Sequence, residues 1–243
     1  MYVIKLDAID STNAYLKGLT LKSMPSDYTV VVAEKQTQGR GQRGTKWQSE
    51  VGKNLTISVF KKIEGLRVEQ QFYISICVSL AIMDCLKKFQ IPQLRIKWPN
   101  DILSANKKIC GILIENIIKN NKLVGCIVGI GLNVNQRNFQ QLPQASSLGS
   151  ITGIVYDKEE ILSEVLNQLE KYFKSIESFN LVALKANYES QLFRLSKPCT
   201  FKLSDDSLLS GIIKGIDETG QLRVWTEDDV IKTFDLKELT LLY

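Results

Sequence analysis

From Tyr2 the chain alternates apolar and polar positions through "YVIKLDAI", the period of a half-buried β-strand. "DSTNAYLKGLTLK" follows, with Asp10 or Ser11 placed to cap a short helix. "YTVVVAEKQ" reads as a buried strand that delivers the chain into a glycine-rich loop, and "NLTISVF" begins another strand soon after. That loop is therefore anchored at both ends. From Glu69 to Phe89, "EQQFYISICVSLAIMDCLKKF" is apolar on most sides, which predicts a long helix deep in the core. Three strand-like segments come next, "LRIKW", "KKICGILIENIIK" and "LVGCIVGIGLNVN". Between Lys158 and Gln191, "KEEILSEVLNQLEKYFKSI" and "NLVALKANYESQL" predict two helices, the first with apolar residues at helical spacing. Beyond Pro198 the pattern changes to short alternating strands with turns at "SDDS", "DETG" and "EDD". The order predicts an α+β fold, a sheet carrying helices on one face over residues 1–195, with a small all-β module over 196–243.

Composition narrows the chemistry. At 243 residues, 44% apolar and 23% charged, the chain has ordinary globular proportions. A net charge of +5, spread along the chain, is too mild to imply nucleic acid. Histidine is absent, which removes imidazole bases, Ser-His-Asp or Cys-His nucleophiles and histidine-ligated metals. Five well-separated cysteines without a C-x-x-C pair suit reduced, buried thiols. No basic-plus-apolar leader and no apolar run of about 18 residues occurs, so the expectation is a cytoplasmic protein without a membrane span.

The loop "QTQGRGQRGTKW" packs three glycines, two arginines and a lysine into twelve residues. Glycine lets backbone approach a ligand, and arginine offers a planar fork of donors for carboxylate or phosphate, so an anion is the expected occupant. The stretch matches neither the spacing of a P-loop nor its strand-to-helix context. Gly39, Gly41 and Gly44 fit G-x-G-x-x-G formally, but no βαβ unit surrounds them. Alone, the loop reads equally well as a basic surface turn. "KWPND" at Lys97–Asp101 adds a proline-fixed turn at a strand end, and Lys107 and Lys108 precede "ICGILIE".

Taken together, "DSTN" (10–13), "QTQGRGQRG" (36–44), "KWPND" (97–101), "KKICGILIE" (107–115) and "GIGLNVN" (129–135) resemble the biotin–protein ligases in order and approximate spacing. The terminal β-module resembles that family's small C-terminal barrel. The resemblance implies a class II synthetase-like mixed sheet with helices on one face and an SH3-like barrel behind it. It implies activation of biotin by MgATP to biotinyl-5′-AMP, then transfer to one lysine of a biotin carboxyl carrier protein or domain of a biotin-dependent carboxylase.

Carried over by motif, Ser11, Thr12, Asn13 and Gln36 would bind biotin, with Gly39, Arg40, Gly41, Gln42, Lys108 and Gly111 beside it. Arg40, Arg43, Trp47, Asn100, Lys108 and Asn133 would hold ATP or the adenylate. Lys108 and Arg40 would be catalytic, and Asp101 would orient or accept the acceptor lysine's proton or ligate Mg2+. Many family members carry arginine where this chain has Gln42. "DSTN" begins at residue 10, so a preceding DNA-binding domain is not expected, and the protein is expected to be a monomer or homodimer. A lipoate–protein ligase shares the fold and adenylation logic, but "GRGQRG" with "KWPND" favours biotin. A nucleic-acid-binding role is disfavoured by the acids of the β-module, Asp205, Asp206, Glu227, Asp228 and Asp229, which phosphate would repel.

Overall fold

The computed structural model describes residues 1–139, 142–178, 180–236 and 238–243. Seven strands form one mixed sheet: β1 (Tyr2–Ile9), β2 (Thr29–Gln36), β3 (Leu55–Lys62), β4 (Leu94–Lys97), β5 (Asp101–Ser104), β6 (Lys107–Lys119) and β7 (Lys122–Leu132). Their spatial order is β1-β2-β3-β7-β6-β5-β4. Only β1 and β2 run parallel; every other neighbouring pair is antiparallel.

Side-chain alternation gives the sheet two different faces. Leu55, Ile57 and Val59 of β3, with Val128 and Ile130 of β7, enter the large core beneath α2 (Phe72–Lys88) and α4 (Lys158–Glu177). Twelve of the seventeen α2 residues are buried, which is why its sequence is apolar nearly all round. By contrast α4 buries one stripe, with Ile161, Val165, Leu169, Tyr172 and Ile176 at three- and four-residue steps, and Asp157 caps its N-terminus. A shorter helix, α5 (Leu181–Ser190), adds Leu184 and Tyr188 to this layer, and α3 (Leu148–Thr152) is a single short turn.

The opposite face carries α1 (Thr12–Lys22), whose Leu16 packs on Val31, Phe60 and Ile127. Helices on one face thus describes α2, α4 and α5, while α1 shields only part of the other face. The rest of that face is open, and the cavity described below lies there.

Residues 198–242 form a second, five-stranded antiparallel sheet from β8 (Pro198–Leu203), β9 (Leu208–Ile216), β10 (Leu222–Thr226), β11 (Ile231–Phe234) and β12 (Leu239–Leu242), ordered β11-β10-β9-β8-β12. Its buried side chains Phe201, Ile213, Leu222 and Leu239 belong to the same apolar cluster as the large sheet. Trp98 Nε1 donates to Gly220 O at 2.9 Å, so a turn of this module is fixed to the turn between β4 and β5. Among the described residues no helix is long and apolar enough to cross a membrane.

Candidate active site

Glycine makes the floor. Gly111 pairs with Gly131, and Leu113 with Gly129, across β6 and β7, while Thr56 and Ser58 of β3 complete the two rows. Without side chains in the middle of those rows the sheet has a trough. The Trp47 indole lies in it: a Cβ on Gly131 would come within 2.3 Å of Trp47 Cε2. The surrounding cavity of about 370 Å³ is large enough for an organic ligand of drug size. Its far wall comes from the β-module, through Phe201, Ile213, Leu222 and Leu239–Leu241.

One end is a buried network of neutral polar side chains, backed from outside by the carboxylate of Glu115. Ser11 is the N-cap of α1, and its Oγ accepts from Ala14 N. Gln36, at the end of β2, accepts through Oε1 from Thr12 N at 2.8 Å and Thr12 Oγ1 at 3.1 Å. Ser58 Oγ lies 2.7 Å from Thr12 Oγ1 and 2.6 Å from Asn13 Oδ1, and Asn13 Nδ2 donates to Glu115 Oε2 at 3.0 Å. Thr12, Asn13 and Ser58 are all buried, so their donors and acceptors are held in fixed directions.

The glycine-rich loop folds back on itself. Trp47 N donates to Gly39 O and Gly41 N donates to Thr45 O, with Arg40 bridged to Lys46 and a 3₁₀ turn at Gln42–Gly44. Gly39 is required for this close return, since a Cβ there would stand 2.3 Å from Trp47 O. The small hairpin brings Arg40, Gly41, Gln42, Thr45 and Lys46 to the cavity, and it places the Trp47 indole over the trough with Nε1 buried and without a hydrogen-bond partner. The side chain of Arg43 lies outside the described residues.

The other end is charged. Positions 108 and 111 would face opposite sides of a regular strand, but the β5–β6 register shifts so that Ile102 pairs with Cys110 and Leu103 with Lys108. This bulge turns the Lys108 side chain onto the glycine face. Its Nζ would lie 3.4 Å from a Cβ on Gly111, and it stands 5.6 Å from the centre of a Trp47 ring and 2.6 Å from Asp101 Oδ1. Asn100 Nδ2 is tied to Ile112 O at 2.8 Å, which locks the turn before Asp101. Lys97 pairs with Asp101 across β4 and β5. Burial pushes the Lys97 ammonium below its ordinary value, and Lys108 adds to that against the pull of Asp101.

Four cations, Arg40, Lys46, Lys97 and Lys108, thus line the cavity against one carboxylate, Asp101. The arrangement suits a ligand with an apolar body, a neutral polar head and several negative charges at the other end. Among the described residues no three His, Cys, Asp or Glu side chains converge, and Asp101 is already paired with Lys108. The donors therefore do not form a resident metal cage, and suit a divalent cation brought in on phosphate oxygens.

Of the residues singled out from the sequence, Ser11, Thr12, Asn13, Gln36, Arg40, Gly41, Gln42, Trp47, Asn100, Asp101, Lys108 and Gly111 line this one cavity. Gly39 shapes the loop from behind. Asn133 lies past the end of β7, buried, with Nδ2 donating to Ser146 O and Oδ1 without a partner among the described residues, and is not among the lining residues. Residues not singled out include Lys97, Thr56, Gly129 and Gly131. A signal existed for the last two, because glycines two apart in a strand leave a hole on one face. The wall from the β-module carried no motif.

A family model described as the biotin/lipoate A/B protein ligase family matches residues 6–133, and one for the biotin protein ligase C-terminal domain matches 195–235. The chain is 29% identical over 243 residues to the bifunctional ligase/repressor BirA of Escherichia coli, covering 98% of this chain and 74% of that protein. Over 215 residues it is 29% identical to the biotin–[acetyl-CoA-carboxylase] ligase of Mycobacterium tuberculosis, covering 87% of this chain and 79% of that one. The structure of the Aquifex aeolicus biotin protein ligase in complex with biotin and ATP superposes with a TM-score of 0.80 at 29% identity, over 99% of this chain and 98% of that chain. A family match spanning more than half of the 243 residues joins the trough, the buried polar head and the cationic end in one conclusion: the chain belongs to the biotin/lipoate A/B protein ligase family.

Proposed function

We propose that the chain is an ATP-dependent biotin–protein ligase. A biotin carboxylate oxygen attacks the α-phosphate of ATP, diphosphate leaves, and biotinyl-5′-AMP forms. The amine of a lysine on a biotin carboxyl carrier protein then attacks the acyl carbon, AMP leaves, and the amine loses one proton. The observation that carries this reading is the excess of cations at one end of a glycine-floored trough whose other end is a buried network of neutral polar groups.

The carboxylate is already ionised at pH 7, so the first step needs no base. Its obstacle is like-charge repulsion, because an anion approaches an anionic phosphate. Lys108, half-buried and held beside Asp101, and Arg40, on the exposed loop at the cavity mouth, offset the charge that grows on the equatorial oxygens. Ser11, Thr12, Asn13 and Gln36 receive the ureido head, and Gly111 lets the ring system approach the strand. Trp47 covers the intermediate and offers its Nε1 as a donor. Gly39, Gly41 and Gln42 shape the closing loop, Arg43 and Asn100 assist with the nucleotide, and Asn133 acts indirectly by tying the end of β7 to the segment at Ser146. Asp101 would be the carboxylate available to a magnesium ion carried on the ATP phosphates, which would supply further charge neutralisation there.

In the second step Asp101 is the acceptor for the carrier lysine's proton. The division into residues 1–195 and 196–243 belongs to the same reading, supported by the change from one sheet to the other at β8. Five free, buried cysteines are consistent with a reducing compartment such as the cytoplasm.

The test is ATP–diphosphate exchange by purified protein with magnesium, comparing biotin, lipoate and octanoate. Exchange with biotin, followed by a biotin mass increment on one lysine of a carrier domain, is the expected result. Exchange with lipoate alone assigns the protein to the other branch of its family, and none with any acid removes the reading.

A further inference from the structure

Lys97 differs from Lys108 in what holds it. Lys108 is paired with a carboxylate at 2.6 Å, whereas among the described residues Lys97 makes no ion pair within 4.0 Å. Its Nζ stands instead 4.6 Å from the centre of the Tyr243 ring. That ring is braced from behind by Phe193, edge to face with centres 5.2 Å apart. The Tyr243 carbonyl accepts from Gln144 Nε2 at 3.1 Å, and the Gln144 carbonyl accepts from Lys108 N at 2.7 Å, so one residue ties Tyr243 to the strand that carries Lys108.

The difference between a carboxylate and an aromatic partner is functional. A carboxylate fixes a lysine but neutralises it. An aromatic face fixes an ammonium through the ring quadrupole and leaves its full charge for a ligand. Lys97 is half-buried, and although Asp101 across the strand pair favours its charge, it makes no ion pair with it, so the ammonium stays available to an anion from outside the chain. It sits one strand beyond Asp101, on the far side from Lys108 and the Trp47-covered trough. If the α-phosphate lies at Lys108, the phosphates that leave extend toward Lys97.

We infer that Lys97 holds the departing diphosphate and that Tyr243, from the β-module, is the positioning residue that keeps it there. This rests on the ligase reading above. Through Lys97 the module contributes to catalysis without touching the reacting atoms itself.

The experiment measures biotin-supported ATP–diphosphate exchange for full-length wild type, Lys97→Met, Tyr243→Phe, Tyr243→Leu and the double variant Lys97→Met/Tyr243→Leu, each checked for folding by its thermal transition. Lys97→Met and Tyr243→Leu are expected to raise the KM for diphosphate and for ATP about tenfold or more, roughly the effect of losing one ligand contact, while the KM for biotin stays put. Tyr243→Phe keeps the ring and is expected to behave as wild type. The double variant is expected to be no worse than Lys97→Met, because both changes remove the same contact.

Equal damage from Tyr243→Phe and Tyr243→Leu, a further loss in the double variant, or a parallel rise in the KM for biotin overturns the inference. Should Tyr243→Leu not fold, Lys97→Met and Tyr243→Phe decide it: an unchanged diphosphate KM in the former, or a raised one in the latter, sinks it. A wild type without biotin-supported exchange overturns the ligase reading as well; exchange in wild type with unaffected variants overturns only this inference.

Discussion

At the scale of single residues, charge and space make different demands. Lys108 reaches the glycine face only through the bulge in β6, which sets its ammonium 5.6 Å from the centre of a Trp47 ring, and in the proposed reaction it offsets charge on the α-phosphate. Lys108→Ala is expected to lower exchange by about 10²–10³-fold, the usual cost of one preorganised electrostatic contact, and to lower the melting temperature as well, because Asp101 loses its partner. Gly131→Ala acts by volume: its methyl meets the Trp47 ring at 2.3 Å and pushes the indole out of the trough. Quenching of Trp47 fluorescence by acrylamide should then rise, and biotin should bind more weakly.

Lys97 offers a pH test. Its folded value lies below the ordinary 10.5 because of burial, so at neutral pH the native state bears a charge it disfavours. As pH rises through that lowered value toward 10.5, the native state releases its proton first and gains stability relative to the unfolded chain. Lys97→Met should therefore melt higher than wild type near pH 7, with the margin shrinking as pH approaches 10.5. Lys61, held by Asp27 and Glu177 and shifted upward, is common to both proteins and cancels from the difference. A margin that grows with pH would show that Lys97 is not desolvated.

At the scale of elements, the loop between β2 and β3 is a hairpin with its own backbone ladder. Gly39→Ala places a Cβ against Trp47 O and must open that ladder. Faster hydrogen exchange at the Trp47 amide is expected, together with weaker adenylate retention, while the sheet amides stay protected. Ser11→Ala removes the cap of α1 and should cost about 1 kcal/mol of stability in chemical unfolding. The larger effect should be on biotin affinity, because Thr12 and Asn13 occupy the first turn of the same helix.

At the scale of the whole molecule, two sheets share one core. Phe201, Ile213, Leu222 and Leu239 pack into the same cluster as α2 and the large sheet, and they also wall the cavity. The protein should unfold in a single calorimetric transition. A chain ending before Ser196 should show exposed apolar surface by dye binding and no sharp melt. A truncated protein with a cooperative transition of its own would contradict that continuity.

The alternation and capping patterns determined most of the elements: the α2 and α4 helices, β1 to β3, β6, β7 and the all-β end follow from local periodicity, where each residue's neighbours supply the signal. Which residues would gather followed only from the resemblance of the five stretches, taken in order, to the biotin–protein ligases; the glycine-rich loop alone reads equally well as a basic surface turn. The four-residue strand β5 and the short α3 had too few residues for any period to show. Which face of the sheet holds the site was decided by where α1 leaves it open, and the side on which Lys108 projects was decided by a one-residue slip between β5 and β6. Lys97 and Tyr243 lie 146 positions apart in the numbering and meet only because the second sheet docks on the first. A contact of that separation leaves no local pattern, since its energy comes from packing between elements rather than from the sequence around either residue.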